Sequence, residues 1–202
     1  MEECNKYWKY ATDVFKTTSK AISQLSKKIN KKSFENCVEV LSKCKGKIIT
    51  SGVGTSGAAA KKIAHSLSCI DQSSFFISPS DAVHGALGSV EKNDVIILIS
   101  KGGETTEINN MLPSLKAKRA YIIGVTENEK SILAKESNLL MKIKVEKEAD
   151  PFNMLATTST AVVITVFDAI CIALVHKTNF TNRKFLILHP GGAVGKRLLN
   201  EQ

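Results

Sequence analysis

The chain contains 202 residues, of which 43% are hydrophobic and 23% are charged. This balance excludes wholesale disorder, and a chain of this length can form a single core without disulfides or a structural metal. The 28 basic and 19 acidic residues give a net charge of +9, which indicates an anionic ligand and leaves phosphate metabolites, nucleic acids and anionic membranes open.

The first 44 residues predict two helices. Apolar residues recur there at three- and four-residue spacing, and Ser33 is placed to N-cap the second helix. Beyond residue 46 the sequence alternates between short apolar runs and segments with helical periodicity. This pattern predicts strands at 47–51, 74–78, 94–100, 119–125 and 139–145, and helices at 58–67, 104–115, 131–136 and 157–177.

Five strands separated by helices predict an α/β fold with one open, doubly wound parallel sheet and helices on both faces. The run 94–100 is apolar at successive positions, as a central parallel strand should be. We divide the chain into an N-terminal helical segment, residues 1–45, which packs on the rest of the chain or on a partner subunit, and one α/β domain, residues 46–202.

Cysteine usage and hydropathy bear on the compartment. The five cysteines are odd in number and none forms a C-x-x-C pair, which argues against a disulfide framework and a zinc ribbon. The polar first ten residues predict no signal peptide. The longest apolar run, 161–175, is interrupted by Thr165 and Asp168 and is shorter than the ~18–20 residues of a membrane span. We expect a reduced, cytoplasmic protein with no membrane partner.

A glycine motif, Gly52-x-Gly54-x-x-Gly57, follows the first predicted strand and opens a helix. Dinucleotide binding would also require an acidic residue at the end of the second strand, and residues 77–79 supply none. The glycines and the hydroxyls of Thr55 and Ser56 suit a phosphate group at a helix N-terminus. A plain strand-to-helix turn with a serine cap is the alternative.

A second polar loop, residues 100–107, follows the third predicted strand. It combines the hydroxyls of Ser100 and Thr105 with Lys101 and Gly103 at another helix N-terminus. Glu107 reads either as a first-turn acid that stabilises the helix or as a functional carboxylate. Because parallel strands deliver their carboxyl ends to one edge of the sheet, the two loops together predict a site for a monophosphate ester.

These motifs, G-x-G-x-S-G and S-x-x-G-E-T-x-E, resemble those of a sugar isomerase (SIS) domain. The segments 80–88, 145–151 with 157–160, and 188–195 sharpen the resemblance to the arabinose-5-phosphate isomerase family, which extends from about residue 10 to the end. The resemblance implies a three-layer sandwich with flavodoxin-like strand order. It also implies isomerisation of D-ribulose 5-phosphate and D-arabinose 5-phosphate through an enediolate, without a cofactor or a bound metal.

The resemblance also implies roles for individual residues. Glu148 is the expected proton-transfer base, with its pKa raised toward neutrality by partial burial, and Glu107 supports or shares this role. His189 is the second candidate for acid–base chemistry or for ordering the open-chain sugar, and His84 reaches into the site from the same or a neighbouring subunit. The alternative is that Glu148 is a solvated residue of the charged run 142–150 and has no role in catalysis. Substrate binding is assigned to seven residues: Gly54, Thr55, Ser56, Ser100, Lys101, Gly103 and Thr105.

The sequence departs from the family at the two loops. The family commonly has lysine at the position of Thr55, and asparagine and serine at those of Lys101 and Gly102. Either Lys101 supplies the cation that is missing at position 55, or the substitutions mark a different sugar phosphate. No segment resembles the CBS domains that follow many SIS domains, so we expect no regulation by them.

Two further functions stay open at this point. The first is a non-catalytic sugar-phosphate sensor, which would need only the phosphate loops. The second is a related isomerase, such as a hexulose-phosphate isomerase, which is also a short protein with only a SIS domain. Nucleic-acid binding is not expected, because the lysines are scattered and few aromatic residues lie among them. The resemblance implies a homo-oligomer, either a dimer or a homotetramer, with sites formed at subunit interfaces.

Overall fold

The computed structural model describes residues 2–191 and residue 197. Five parallel strands form one sheet in the order β2-β1-β3-β4-β5, which confirms the predicted doubly wound α/β fold. The strands are β1 (Ile48–Gly52), β2 (Ser74–Phe76), β3 (Val95–Ile99), β4 (Tyr121–Thr126) and β5 (Leu139–Lys142). The order places β1 and β3 side by side at the centre, so the loops that follow them share the carboxyl edge of the sheet.

Helices cover both faces of the sheet within the described residues. They are α1 (Glu2–Ser23), α2 (Leu25–Lys28), α3 (Lys31–Ser42), α4 (Gly54–Ser68), α5 (Pro79–Ala82), α6 (Thr106–Asn109), α7 (Leu112–Ala117), α8 (Ile132–Glu136), α9 (Thr158–Lys177) and α10 (Asn182–Leu188), with a short 3₁₀ turn at Ala86–Ser89. Strand β3 shows the layering, because Val95, Ile97 and Ile99 join the core on one face and Ile96 and Leu98 join the core on the other.

The N-terminal helices lie on the α9 side of the sheet. Ala21 and Ile22 of α1 and Leu25 of α2 pack against the same core as α9. Helix α3 begins earlier than the sequence predicts, because Asn30 is its N-cap and accepts a hydrogen bond from the backbone N–H of Ser33 at 2.9 Å. The prediction that Ser33 is the N-cap is therefore wrong, and Ser33 lies within the first turn.

The predicted helix at 104–115 is two short helices, α6 and α7, which meet at Asn110 and Met111. Pro113 explains the break, since it has no N–H for the carbonyl of Asn109 and its ring would collide with that carbonyl in a continuous helix. Helices α5 and α10 were not predicted, and β5 ends three residues earlier than the apolar pattern suggests.

Helix α9 has the length and the apolar composition of a membrane span. Its buried residues include Val166, Phe167 and Leu174, which belong to the core between the sheet and α3 and α4. Asp168 on the same helix forms an ion pair with Lys62 of α4. These contacts bury one face of α9 in the core, and 39% of its most apolar stretch is buried within the described residues.

Candidate functional site

The loop after β1 turns sharply into α4. A Cβ atom at Gly52 would lie 2.7 Å from the carbonyl oxygen of Ser56, and one at Gly57 would lie 2.7 Å from that of Gly52. Gly54 adopts a left-handed φ of 57°. Only glycine permits the close approach at Gly52 and Gly57, and glycine adopts the backbone conformation of Gly54 without the strain that a Cβ atom brings. Ser56 is half-buried, and Thr55 is exposed in the first turn of α4.

No side chain caps α4, because its N-cap is Val53. The serine cap of the plain-turn interpretation is therefore not observed. Helix α4 has 15 residues, and its amino end carries the partial positive charge of aligned peptide dipoles. This arrangement suits an anion next to the hydroxyl of Ser56.

The loop after β3 is held by an internal hydrogen-bond network. The buried Oγ of Ser100 lies 2.7 Å from Oγ1 of Thr105 and accepts the backbone N–H of Gly103 at 3.1 Å. Gly103 has a φ of 73°, and a Cβ atom there would collide with Ser131 of the following loop. Thr126 donates to the carbonyl of Lys101 at 2.8 Å. The loop is therefore ordered before any ligand arrives.

The Glu148 carboxylate is fully buried between this loop and the amino end of α9. Its Oε1 accepts a hydrogen bond from Nζ of Lys101 at 2.7 Å. Its Oε2 accepts the backbone N–H groups of Thr157 at 3.0 Å and Ser159 at 3.1 Å. Its own backbone N–H donates to Oδ1 of Asn153 at 2.6 Å. Glu148 is not on a solvated run, and that alternative is excluded.

The pKa of Glu148 is lowered, although burial by itself raises it. The hydrogen bonds from Lys101 and Ser159 and the positive charge of Lys101 outweigh the cost of burying the carboxylate. The expectation of a pKa raised toward neutrality is therefore wrong for this state of the protein. The physical reason is that the buried carboxylate accepts hydrogen bonds from Lys101, from Thr157 through both its N–H and its hydroxyl, and from Ser159, so Glu148 is ionised at neutral pH.

A small cavity of about 100 Å³ lies between the two loops and α9. Its polar lining consists of Thr55, Ser56, Lys101, Thr126, Ser159 and Thr160. A second cavity, of about 360 Å³, lies beside the β1 loop and is lined in part by Gly54 and by the exposed carboxylate of Glu107. The structure thus brings Thr55 and Ser56 of one predicted phosphate loop together with Lys101 of the other at the first cavity. Glu107 lines the second cavity, whereas the buried Glu148 lines neither and contacts the first through Lys101.

The two predicted histidines lie elsewhere. His84 is exposed on the turn after α5. His189 follows α10, stacks on the ring of Phe185 with centroids 4.0 Å apart, and has Nδ1 3.0 Å from the carbonyl oxygen of Phe185. Lys184 of the same helix pairs with Asp71 at 3.1 Å, and Asp71 lies at the amino edge of the sheet, just before β2.

The contacts of His189 are thus with α10, whose Lys184 pairs with Asp71 at the amino edge of the sheet, whereas Glu148 contacts the amino end of α9. The structure does not bring these two residues together within one chain. Residues 192–195 of the motif that contains His189 lie outside the described residues.

Asn153, Thr157 and Ser159 support Glu148, and sequence reasoning did not assign them this role. The run of hydroxyl residues at 157–160 before an apolar segment is a helix-start signal, and it marks the end of α9 that receives the carboxylate. Asn153 has a φ of 58°, which asparagine tolerates better than most residues. Among the side chains that the structure describes, no group of three or more His, Cys, Asp or Glu residues could hold a metal ion.

Comparison with known proteins identifies the family. The SIS domain matches residues 40–173. Arabinose 5-phosphate isomerase KpsF of Escherichia coli O6:H1 is 39% identical over 181 residues, which are 90% of this chain and 55% of that protein. The structure of an E. coli CFT073 protein in complex with arabinose 5-phosphate has a TM-score of 0.88 and 37% identity, covering 92% of this chain and 98% of that one.

A third relative is a Listeria monocytogenes protein described as a "putative sugar-phosphate isomerase". Its crystal structure has a TM-score of 0.90 and 45% identity, covering 92% of this chain and 97% of that one. The chain spans 55–58% of the length of the first curated relatives that it matches. The SIS model matches more than half of the chain, and relatives at 37–45% identity cover about nine-tenths of it, so the chain belongs to the SIS domain family.

Proposed function

We propose that this protein is an aldose–ketose isomerase that interconverts D-ribulose 5-phosphate and D-arabinose 5-phosphate through an enediolate. The observation that carries the proposal is the buried, ionised carboxylate of Glu148, which contacts Lys101 at the point where the two phosphate loops meet. The names of the curated relatives and the arabinose 5-phosphate bound to the E. coli neighbour support this choice of substrate.

The phosphate binds at the amino end of α4 in this proposal. The backbone of Gly54 and the hydroxyls of Thr55 and Ser56 contact it from one side. Ser100 and Thr105 supply hydroxyls from the other loop, and Gly103 fixes that loop in shape. The cavity between the loops is about 100 Å³, so we expect the β1 loop or the Lys101 side chain to move when the sugar enters.

Glu148 is the base in this mechanism. It removes the proton from C1 of ribulose 5-phosphate, and the electron pair of that C–H bond forms the enediolate while the C2 carbonyl becomes an oxyanion. The proton of the C1 hydroxyl moves to the C2 oxygen, and Glu148 returns its proton to C2, which gives the aldose. The reaction conserves all atoms and electrons, so it requires no redox cofactor.

Lys101 makes the low pKa of Glu148 compatible with this role. Its side chain is 40% exposed and flexible, so its ammonium group can shift from Glu148 Oε1 to the oxyanion of the substrate. Glu148 then loses its only cationic partner among the described residues and becomes a stronger base as negative charge develops beside Lys101. In this way Lys101 supplies the cation that the family places at position 55.

We also propose a homo-oligomer, a dimer or a tetramer, in which His189 of the partner subunit moves the hydroxyl proton. The different contacts of the two residues within one chain, His189 with Phe185 of α10 and Glu148 with Lys101 and the amino end of α9, support this arrangement. Exposed aromatic side chains on α1, including Trp8 and Phe15, offer an apolar surface for subunit contact. Glu107 and the exposed His84 contribute from the rim of the site.

The protein is a cytoplasmic enzyme in this proposal, with no nucleic-acid or membrane partner. The free thiols of Cys37, Cys44, Cys69 and Cys171 agree with a reducing compartment. The packing of α9 into the core agrees with a role away from the bilayer.

The test is to incubate the purified protein with D-ribulose 5-phosphate and to follow D-arabinose 5-phosphate by NMR. Glu148→Gln should lose at least about a hundredfold in turnover, as expected for a general base. Glu146→Gln is the matched control, since Glu146 is two residues away and exposed, and it should keep near-normal activity. A fully active Glu148→Gln variant would reject the mechanism.

A non-catalytic sugar-phosphate-binding module is the second candidate. The observation in its favour is that the Glu148 carboxylate caps α9, as a purely structural group would. Tight binding of arabinose 5-phosphate without any turnover would select this function. Turnover of another phosphosugar in place of ribulose 5-phosphate would keep the mechanism and change the substrate.

A further inference from the structure

A basic groove lies outside the candidate site, between the first two helices and the segment that follows β5. Its volume is about 320 Å³, and its charged lining consists of Lys16, Lys20, Lys28, Lys144, Glu146 and Lys147. None of these six residues lines the cavity between the phosphate loops. The proposed function uses none of them.

The positive charge of the groove is only partly neutralised within the chain. Glu146 Oε1 lies 2.7 Å from Nζ of Lys28, and Oε2 lies 3.8 Å from Nζ of Lys20. The hydrogen bond from Lys28 lowers the pKa of Glu146, so this carboxylate is ionised. In the part of the chain that the structure describes, no carboxylate lies within 4.0 Å of the ammonium groups of Lys16, Lys144 or Lys147.

The backbone fixes this concentration of charge. Residues 141–145 alternate strictly between buried and exposed, so Ile143 and Val145 face the core while Lys144 faces the groove. Lys16 and Lys20 are four residues apart on α1 and therefore share one face of that helix. Five ammonium groups on the two walls thus surround one carboxylate, which leaves an excess of four positive charges in a concave site.

The size and lining of the groove select the class of ligand. A volume near 300 Å³ is at the lower end for small-molecule sites, and its concave shape fits a metabolite. Ala21, Leu25 and Val145 add an apolar surface beside the lysines. A single monoanion would leave most of the excess charge in place, whereas two phosphate groups can contact lysines on both walls.

We propose that this groove binds a small metabolite that carries two or more phosphate groups. The ligand bridges Lys16 of α1 and the pair Lys144 and Lys147. Lys147 directly precedes Glu148 in the chain, so the bound ligand contacts the segment that carries the proposed base. This site is distinct from the monophosphate site between the two loops.

The test uses pyrophosphate as the probe and isothermal titration calorimetry as the measurement. The variant with Lys16→Ala, Lys144→Ala and Lys147→Ala should bind pyrophosphate at least tenfold more weakly than the wild type. The matched control replaces Lys45, Lys92 and Lys135, three exposed lysines elsewhere, and it should change affinity less than twofold. Both variants lose three charges, so equal weakening in both would overturn the proposal by revealing general electrostatic attraction.

The number of phosphate groups is tested with inorganic phosphate, which should bind at least tenfold more weakly than pyrophosphate. Equal affinity for the two ions would contradict the proposed ligand class.

Amide chemical shifts of the wild type locate the site independently of any variant's folding. Shifts at residues 16–28 and 144–147 support the groove, whereas shifts confined to residues 54–57 and 100–105 would overturn it by placing pyrophosphate in the candidate active site. The measurements need no turnover, so they stand apart from the test of the isomerase function.

Discussion

The ammonium group of Lys101 lies 2.7 Å from Oε1 of Glu148, although the two residues are 47 positions apart in the sequence. Lys101 follows the central strand β3 and Glu148 precedes α9, so the parallel sheet brings them to the same edge. This ion pair joins the loop suited to phosphate with the carboxylate suited to proton transfer. It makes Lys101 the residue on which the proposed mechanism can be tested most sharply.

Replacing Lys101 with alanine should abolish turnover and leave the fold intact. The change removes the ammonium group that stabilises the enediolate and leaves the Glu148 carboxylate with uncharged donors only, the backbone N–H groups of Thr157 and Ser159 and the Thr157 hydroxyl. The pKa of Glu148 should rise, so the acid limb of the pH–rate profile should move to higher pH in any residual activity. Steady-state assays across pH and circular dichroism check both points.

A second substitution tests whether the charge itself matters. Thr55→Lys added to Lys101→Ala places an ammonium group on the opposite loop, next to the same cavity. We expect it to restore part of the lost activity, and Thr55→Gln to restore none. Near-normal activity of Lys101→Ala alone would contradict the role of Lys101.

Replacing Ser100 with alanine should weaken phosphate binding. The change leaves the Thr105 hydroxyl without its 2.7 Å partner and removes one acceptor from the N–H of Gly103. We expect KM to rise about tenfold, which corresponds to about 1.4 kcal/mol, with a smaller change in kcat. Ser114→Ala, on the exposed face of α7, should leave both constants unchanged. A fall in kcat at constant KM would show that Ser100 does not act on phosphate binding.

Replacing Gly103 with alanine should destabilise the protein. Alanine disfavours the φ of 73° at this position, and its Cβ would collide with Ser131. We expect a loss of about 1–3 kcal/mol in the free energy of unfolding, measured by urea denaturation. Gly102→Ala is the control, because a Cβ there meets open space. Equal stability of the two variants would mean that the loop tolerates a different conformation.

Mixing two inactive variants should restore activity if subunits share the site. In a mixed dimer, the Glu148→Gln chain still has His189 and the His189→Ala chain still has Glu148. These two residues form one intact site, and the two substitutions meet in the other site. Random mixing into dimers then gives about a quarter of the wild-type rate, since half of the dimers are mixed and each has one intact site.

The control for this experiment mixes Glu148→Gln with Lys101→Ala. Both residues belong to the same half of the site, so every mixed dimer keeps one defect per site and should stay inactive. A mixture of Glu148→Gln with His189→Ala that gains no activity on unfolding and refolding together would refute the shared site.

The stabilising effect of Glu148 should depend on pH. Its pKa is lower in the folded than in the unfolded protein, so the unfolded state binds more protons as the pH falls. The contribution is complete above the unfolded value near ~4.3 and is lost as the pH falls through the lower folded value. We expect Glu148→Gln to cost about 1–3 kcal/mol in the free energy of unfolding at pH 7, and progressively less as the pH falls below the unfolded value. If urea denaturation gave the same difference between the variant and the wild type at every pH, the lowered pKa would be contradicted.

The sequence was sufficient to predict the sheet and the two loops. Apolar runs mark buried parallel strands because both faces are covered, as the five fully buried residues of β3 show. The glycine-rich turns after β1 and β3 could be recognised because left-handed or closely packed backbone requires glycine. The break between α6 and α7 shows a limit of this reasoning, because the apolar period continues across it while Pro113 interrupts the hydrogen bonds.

The residue types of the site were predictable, but their electrostatic state was not. Sequence identified Glu148 and Lys101 separately, whereas the ion pair between them depends on the packing of β3, β5 and α9. Tertiary structure reversed the expected direction of the Glu148 pKa shift, because the pKa of a buried carboxylate depends on the donors that surround it.

The position of His189 shows the same division. The motif around it suggested a functional residue, and only the fold placed it against Phe185 of α10 and not against Glu148 of the same chain. Local sequence determined which segments became strands, helices and glycine turns, since hydrophobic period and backbone freedom act over a few residues. The tertiary structure alone decided which charges meet, because Coulomb interactions and burial depend on distances in space between residues that are far apart in the chain.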